Sequence, residues 1–407
     1  MKAQLILEWK KQPWLLHLFW FIVLLAVIGS AMVRAETVRT RGVSYTGATA
    51  DTIYAKPTTA SERHYQTILY QHGVANNVAY DKQLKRPTSP ATRTAKKILR
   101  QFQQRDYLSF NRSILAIIQD DPEQAINDSI ADPPFDSPDQ AVTQLTYMVK
   151  HQCNRMLQLD AMTAVINNAA SAFGINGFKS NQNVTTLNTL ILAMAMTLFC
   201  FVFYKDRREE TDTFMQLAPL TRFRQALIRG GITLGLINAS LLAASGIGVI
   251  ILTLIPGHEF GTLLFPTAYT LFGKPVILPL WQAFLQLWLL YNLWFLIIAG
   301  LALCLSLVSR NQLVGIFVIA GVMFADKLKL LMLVPLNVQR LLPNGYLNAT
   351  DVIRHPRDFQ LIPFTHSLTV LLVWAAVLII AAWTLMRLQT SGVAGRFRRE
   401  APGAHSH

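Results

Sequence analysis

Apolar residues gather in six long runs, separated by stretches rich in charge, proline and glycine. The runs occupy residues 14–33, 187–204, 232–255, 281–308, 313–335 and 368–386. A helix needs roughly 20 apolar residues to cross about 30 Å of hydrocarbon, and five runs meet that length easily. The fifth is interrupted by Asp326, Lys327 and Lys329. The pattern predicts an all-α polytopic membrane protein with six transmembrane helices.

The stretch between the first two runs, residues 34–185, is long enough for a core of its own. Its apolar positions recur at steps of three and four residues, as from Tyr65 to Ile68 and Leu69 or from Leu145 to Met148 and Val149. That period is typical of amphipathic helices. The sequence therefore predicts a large, mainly helical domain between the first and second spans.

Composition agrees with a membrane protein, because 52% of the 407 residues are hydrophobic and the mean hydropathy is +0.32. The net charge is +14, yet residues 34–179 hold 17 basic and 13 acidic residues, so most of the excess lies near the spans. That placement favours contact with anionic lipid headgroups. No basic patch is interleaved with stacking aromatics, so nucleic acid is not an expected partner.

Basic clusters predict the orientation, since Lys and Arg collect on the cytoplasmic side. With six spans, three clusters fall on one side, which places both termini in the cytoplasm and residues 34–185 outside. Arg340, Arg354 and Arg357 are the exception, on the predicted outer face. An alternative for the first run is a cleaved signal peptide, which its span-like length disfavours. The clustered residues are Lys2, Lys10, Lys11, Lys205, Arg207, Arg208, Arg222, Arg224, Arg229, Arg387, Arg396, Arg398 and Arg399.

These patterns divide the chain into seven parts. The predicted boundaries are 1–12 for a cytoplasmic amphipathic helix, 13–33 for the first span, 34–185 for the extracytoplasmic domain, 186–204 for the second span, 205–230 for a cytoplasmic segment, 231–387 for spans three to six, and 388–407 for a cytoplasmic tail.

The segment 205–230 is longer than a simple turn requires, and it reads as two short helices. Phe214, Leu217 and Ala218 form one apolar stripe, and Pro219 ends that helix. Thr221 then caps a second helix that leads into the third span. Two interpretations remain open for the first helix: an interfacial helix lying on lipid, and a docking element for a cytoplasmic partner.

Three stretches together carry a resemblance to a known family. They are the charged segment after the second run, the N-terminal sequence ILEWKKQPW, and the sequence LLPNGYLNATDVI before the last run. The chain resembles the permease subunits of bacterial type-2 ABC exporters. It departs from the family pattern where Asp212 follows Glu210 and Thr211, since the family often has a glycine earlier. The matching residues in the charged segment are Lys205, Asp206, Arg207, Glu209, Glu210, Thr211, Leu217, Pro219 and Arg222.

The resemblance implies a mechanism and partners. Such permeases work as dimers of two copies or of a copy and a paralogue, in the bacterial cytoplasmic membrane. A separate ATP-binding cassette subunit binds ATP and magnesium, so this chain would hold no cofactor. The expected cargo is hydrophobic or amphipathic: a peptide, a drug or a lipid. The residues expected to contact the ATPase are Asp206, Glu209, Glu210, Phe214, Met215, Leu217, Pro219 and Arg222.

The sequence offers no catalytic cluster. The stretch FGKP, residues 272–275, has the Gly-Lys pair of a phosphate-binding loop but lacks its Ser/Thr and its glycine spacing. No H-E-x-x-H motif occurs, and no histidines stand at ligand spacing with cysteine or carboxylate. We therefore expect neither a metal site nor an enzymatic activity on this chain.

Polar residues within the spans are candidates for a substrate path. They are Asn238 in the third run and Gln282, Gln286 and Asn292 in the fourth. Buried polar groups are costly in lipid and usually face the protein interior. The alternative interpretation, which we favour, is that they form hydrogen bonds between helices.

A second function remains open beside transport. The chain is also compatible with a non-transporting membrane sensor or anchoring protein, whose external helical domain binds a ligand.

Overall fold

The computed structural model describes residues 2–37, 58–120, 138–175, 182–208, 221–325, 328–329, 334–355 and 360–390. Before the helical domain lie α1 (Lys2–Lys10) and α2 (Trp14–Thr37). The domain contains α3 (Thr59–Gln83), α4 (Pro90–Gln103), α5 (Tyr107–Asp120), α6 (Pro138–Lys150), α7 (Leu157–Thr163) and α8 (Val165–Ala172). The elements that follow are α9 (Gln182–Arg208), α10 (Arg222–Leu254), β1 (Pro266–Leu271), β2 (Lys274–Pro279), α11 (Leu280–Val308), α12 (Gln312–Met323), α13 (Leu336–Gln339), a 3-10 helix (Pro343–Tyr346), α14 (Ala349–Arg354) and α15 (Phe364–Thr390).

Five helices are long and apolar enough to cross a membrane: α2, α9, α10, α11 and α15. They coincide with five of the six predicted runs, so the chain is compatible with a multi-pass membrane protein. The helix α10 begins at Arg222, ten residues before its apolar run, because Thr221 caps it as predicted. The Thr221 hydroxyl accepts a hydrogen bond from the amide of Arg224 at 3.4 Å.

The six-span prediction is not confirmed, because the fifth run forms a short helix. The helix α12 has 12 residues and ends before Phe324, with Lys329 in a left-handed conformation beyond it. Twelve residues rise about 18 Å, well short of about 30 Å of hydrocarbon. Gly315 in this helix lies against Tyr204, whose hydroxyl would be 2.5 Å from a Cβ at that position.

Two pairs of long helices run in the same direction. In the first pair, Thr233 of α10 contacts Gln12 just before α2, and Gly248 farther along α10 meets Met32 near the end of α2. In the second pair, Gly300 of α11 packs on Leu378 of α15. Farther along both helices, Gln389 donates a hydrogen bond to the Leu307 carbonyl at 2.9 Å. The chain between α11 and α15 therefore returns to the end where α11 began.

That return is completed by the segment 334–355, which contains the sequence LLPNGYLNATDVI, residues 341–353, that carried part of the resemblance. Trp294 of α11 donates a hydrogen bond to the carbonyl of Tyr346 at 3.0 Å, and Asn344 donates to the Met323 carbonyl at 3.2 Å. Thr350 in α14 donates to the Phe173 carbonyl at 2.9 Å. These contacts bind the segment to α11, to the end of α12 and to the helical domain.

The helical domain is mainly helical, as predicted, and it has a core of its own. Rings of Tyr70, Phe102 and Phe110 pack together, with centroids 5.2 to 6.0 Å apart. The short helix α8 belongs instead to the core of the long-helix bundle, and α7 contributes to both cores, with Leu159 in the domain core and Leu157 in the bundle core. All eight residues of α8 are buried, against α2 and α10 among others. The domain is thus continuous with the bundle.

A β-hairpin departs from the all-helical prediction. Strands β1 and β2 pair antiparallel, with Leu271 opposite Lys274. The two turn residues, Phe272 and Gly273, both have positive φ, of 50° and 75°. That geometry matches the type I′ turn of two-residue hairpins, and a glycine adopts it at low cost. The Gly-Lys pair that resembled part of a phosphate loop is the second residue of this turn and the first residue of β2.

Candidate functional site

The end of the bundle that carries α1, here called the basal end, holds the most buried charge pair of the described residues. Glu8 of α1 accepts two hydrogen bonds from Arg229 of α10, one from Nε at 2.7 Å and one from Nη2 at 3.1 Å. The side chain of Glu8 is fully buried, and that of Arg229 is 10% exposed. A two-point contact of this kind fixes both the distance and the orientation of the two helices.

Neighbouring polar contacts extend the pair. Gln4 donates a hydrogen bond to Glu8 at 3.0 Å, one turn earlier on α1. Thr233, one turn after Arg229, donates to Gln12 at 3.2 Å. His17 lies 3.4 Å from the same Gln12 oxygen. The N-terminal helix and the start of α2 are therefore held along two turns of α10.

The last described turn of α9 is tied to the same element. The Lys205 ammonium donates a hydrogen bond to the carbonyl of Lys11 at 2.9 Å. Nearby, Phe203 packs against Gly230 of α10, at 3.2 Å from where a Cβ would lie. The helices on both sides of the segment 206–221 thus contact the same N-terminal helix or its end. We call the contacts of Glu8, Gln12, Lys205, Arg229 and Thr233 the basal clamp.

Most residues expected to contact an ATPase lie outside the described residues. These are Glu209, Glu210, Phe214, Met215, Leu217 and Pro219. Asp206 belongs to α9, and Arg222 is the first residue of α10, half-buried. The predicted helix ending at Pro219 therefore remains a prediction, and what the structure adds is the clamp at its two borders.

The polar residues proposed to line a substrate path separate into two groups. Asn238 and Asn292 bond each other across α10 and α11, with Asn238 Nδ2 donating to Asn292 Oδ1 at 2.8 Å. Trp288 Nε1 donates to Asn238 Oδ1 at 2.8 Å. This is the interhelical arrangement favoured above. Gln282 and Gln286 are half-buried on α11 and form no side-chain hydrogen bond among the described residues.

A second interhelical network was missed by the sequence analysis. Tyr291 of α11 donates its hydroxyl hydrogen to Asn188 of α9. Asn188 donates to Asn348 at 2.6 Å, and Asn348 donates to Asp351 at 2.6 Å. The network joins two long helices to the segment 334–355. The only sequence signal was the presence of polar residues in or beside apolar runs, with nothing to indicate which would pair.

At the opposite end, here called the domain end, the helical domain docks on the loop after α10. Backbone amides of Thr59, Val165 and Ile166 donate to carbonyls of Gly257, Glu259 and Phe260, at 2.9 to 3.1 Å. Gly261 has φ of 90°, and a Cβ there would lie 2.6 Å from the Cβ of Ala164. The loop backbone therefore fits closely against the start of α8.

Charged side chains surround the same junction. Arg155 Nη1 lies 2.7 Å from Glu259 and 3.5 Å from Asp160. Arg63 lies 3.4 Å from the other oxygen of Glu259. Burial raises the pKa of Asp160 to about 6, against the opposing influence of Arg155. One oxygen of Asp160 has no hydrogen-bond partner among the described residues.

Comparison with known proteins adds no family assignment. No family model matches the chain, and no curated protein matches it. Within the described part of the chain, no group of three or more His, Cys, Asp or Glu residues is placed to hold a metal ion.

Proposed function

We propose that this chain is the membrane-spanning subunit of an ATP-driven exporter of the type-2 ABC kind, located in a bacterial cytoplasmic membrane. A separate ATPase subunit would bind ATP and magnesium, and a second permease copy or paralogue would complete the dimer. The cargo would be a hydrophobic or amphipathic peptide, drug or lipid. The resemblance of the segment 205–230 to a coupling helix motivates the proposal.

The observation that supports it most is the basal clamp. Because Lys205 and Arg229 stand on the two helices that border the segment 206–221, a displacement of that segment acts on α9 and α10 together. The contacts from Lys205 to Lys11 and from Arg229 to Glu8 pass the displacement to α1 and α2. A motor protein can shift a conformational equilibrium only through contacts that differ between states.

The proposed topology places the basal end in the cytoplasm and the domain end outside. The parallel direction of α11 and α15 supports an odd number of crossings between them, so the short helix α12 and the segment 334–355 together would form one crossing. This gives six crossings with both termini in the cytoplasm, and it leaves the helical domain outside. Nonhelical backbone at membrane depth is tolerated where it is buried in protein. The part 343–355 of this segment is mostly buried, with Tyr346, Ala349 and Val352 at its centre.

Recovery of an ATPase with the full chain tests the proposal. We would purify the tagged chain from its native membrane in mild detergent and identify bound proteins by mass spectrometry. We expect a subunit with a Walker A motif. Leu217→Asp should abolish its recovery without reducing membrane insertion, since a charge replaces an apolar anchor. Leu263→Asp, an exposed leucine at the domain end, is the matched control.

Two results would count against the exporter. One is unchanged ATPase recovery with Leu217→Asp, and the other is no ATPase in any nucleotide state with a folded chain. In the second case the sensor or anchoring protein becomes the better proposal. A gene for a Walker A ATPase beside this one would favour transport, whereas a neighbouring kinase or regulator without an ATPase would favour sensing.

A further inference from the structure

Charge is distributed very unevenly within the helical domain. Residues 81–105 contain eight basic residues and one acidic residue, a net charge of +7. The rest of 34–179 contains nine basic and twelve acidic residues. The modest net charge of the whole domain therefore hides a strongly basic region, which consists of the end of α3, the turn after it and α4.

Four of these basic residues lie on one face of α4. Arg93, Lys96, Lys97 and Arg100 follow each other at steps of three, one and three residues, the spacing of a single helix face. All four are exposed, and none forms an ion pair in the part of the chain that the structure describes. We call these four residues the basic stripe.

The stripe stands on a rigid support. The helices α3 and α4 form an antiparallel pair, with Tyr70 packed on Phe102 near one end. At the other end, Asp81 accepts hydrogen bonds from Thr92 at 2.6 Å, from the Ser89 amide at 2.9 Å and from Arg86 at 2.7 Å. These contacts, the one from Thr92 foremost, hold the pKa of Asp81 well below its usual range. Asp81, the one acidic side chain of residues 81–105, is therefore occupied by hydrogen bonds at the junction of α3 and α4.

The surroundings of the stripe argue against a protein or a bilayer as its partner. Protein interfaces have an apolar centre and are depleted in lysine. Within residues 81–105 the exposed large apolar side chain is Leu84, in the turn before α4, and α4 itself exposes none. A helix lying on lipid needs an apolar face to insert. The apolar face of α4, with Ile98 and Phe102, is already buried in the domain core.

We propose that the basic stripe binds a linear phosphate-bearing polyanion on the outer side of the membrane. Four cations at helical spacing, without acidic partners, suit a flexible chain of repeated phosphates, whose binding releases counterions. Arginine and lysine both bind phosphate oxygens directly. The outer location rests on the proposed topology, whereas the binding itself does not require that the chain transports anything.

Binding of a labelled inorganic polyphosphate to the full chain tests this site. The protein is placed in nanodiscs of zwitterionic lipid, which expose both faces, and affinity is measured by fluorescence anisotropy over a series of salt concentrations. The variant changes Arg93, Lys96, Lys97 and Arg100 to glutamine, a good helix former. Its control changes four other exposed basic residues to glutamine: Arg112, Lys150, Lys274 and Arg340.

The stripe variant should bind at least about ten-fold more weakly at about 0.1 M salt, and the slope of log affinity against log salt should fall by about three. The control should change affinity less than about two-fold, because its charges are scattered. Arg93→Lys with Arg100→Lys should keep binding. Equal thermal unfolding midpoints would show that all variants are folded.

Three results would overturn the proposal: equal affinity of the stripe variant and the wild type, an equal loss in the control, or stripe-dependent capture of phosphatidylglycerol vesicles without polyphosphate binding. The last would make lipid the ligand. Labelling of Lys96→Cys in intact cells with an impermeant reagent tests the outer location separately. Polyphosphate binding with no labelling would refute the proposed topology but still support the binding site. Failure of the topology and failure of the binding site are therefore distinguishable.

Discussion

The two ends of the bundle are held together in different ways. At the basal end, one buried ion pair and a few hydrogen bonds connect α1 and the two residues after it to α9 and α10. At the domain end, the helical domain meets the loop after α10 through three backbone hydrogen bonds, a close glycine contact and partly exposed charges. Removing one group should therefore matter greatly at the basal end and less at the domain end, where the contacts are shared.

The largest effect is expected from breaking the basal ion pair. Arg229→Leu leaves the Glu8 carboxylate buried without its partner, which typically costs about 3–5 kcal/mol. Arg224→Leu, an exposed arginine of the same helix, should change stability by less than about 0.5 kcal/mol. Reversible unfolding in mixed detergent micelles measures both.

Replacing both members of the pair sharpens this prediction. Glu8→Leu with Arg229→Leu should recover much of the loss, since apolar replacements of a buried pair are often nearly neutral. If the double variant were as unstable as Arg229→Leu alone, the ion pair would not be the reason for the loss.

Lowering the pH should stabilise the docking of the helical domain at the domain end, through Asp160, and should not stabilise the contacts at the basal end. Because the folded pKa of Asp160 is raised above its ordinary value of 3.8 to about 6, the folded state binds the extra proton in this window. The contribution of Asp160 to the free energy of unfolding is greatest below about pH 4. It is lost as the pH rises to about 6, by at most about 1.4 kcal/mol per pH unit.

Asp160→Asn should flatten that dependence, and Asp139→Asn, an exposed acid of α6, should leave it unchanged. Hydrogen exchange of the Val165 and Ile166 amides between pH 4 and 7 would measure docking directly. An identical pH profile in Asp160→Asn would assign the dependence to another group.

Crowding the glycine contact should weaken the domain end by a smaller amount. Gly261→Ala combines the cost of a left-handed alanine with a clash against Ala164, together roughly 1–3 kcal/mol. Gly273→Ala has a similar positive φ but meets nothing within 4 Å, so it isolates the backbone cost. Thermal unfolding of the two variants should place Gly261→Ala clearly below Gly273→Ala, and equal midpoints would remove the role of the contact.

The smallest loss of stability is expected from removing a polar contact in the middle of the bundle. This loss can be compared with those at the basal end and the domain end. Asn238→Leu should cost about 0.6–2 kcal/mol, the usual range for hydrogen bonds between membrane helices. Gln286→Leu should cost less, since Gln286 has no such bond in the described structure. The opposite order of unfolding free energies would return Asn238 to the candidate substrate path as a residue without a structural role.

Local features of the fold were predictable from sequence, and distant pairings were not. Among the described residues, apolar runs located the five helices that are long and apolar enough to cross a membrane. Thr221 marked the start of α10 because a capping hydroxyl acts within one turn. The fifth run contains the charged residues Asp326, Lys327 and Lys329, which indicated that it would be the least regular of the six spans. The hairpin had a signal too, because Gly273 lies between two short apolar segments and a glycine favours a two-residue hairpin turn.

The basal clamp shows why contacts between distant parts of the chain could not be predicted from the sequence. Glu8 and Arg229 are 221 positions apart, and each alone resembles an ordinary charge near a membrane surface. Only the parallel packing of α2 and α10 brings them together. Tyr291 and Asn188 are separated in the same way by 103 positions. A charge or an amide in sequence indicates that a partner is needed, but the fold decides which one.

The shared direction of α11 and α15 limits how far this protein can be shortened. Val308 and Phe364 lie at opposite ends of a packed helix pair, about 37 Å apart by the rise of α15. A fully extended chain covers about 3.3–3.6 Å per residue, so a splice needs about eleven residues merely to reach. Neither gene deletion nor loop grafting can replace the 309–363 insert with a tight turn while both helices keep their places.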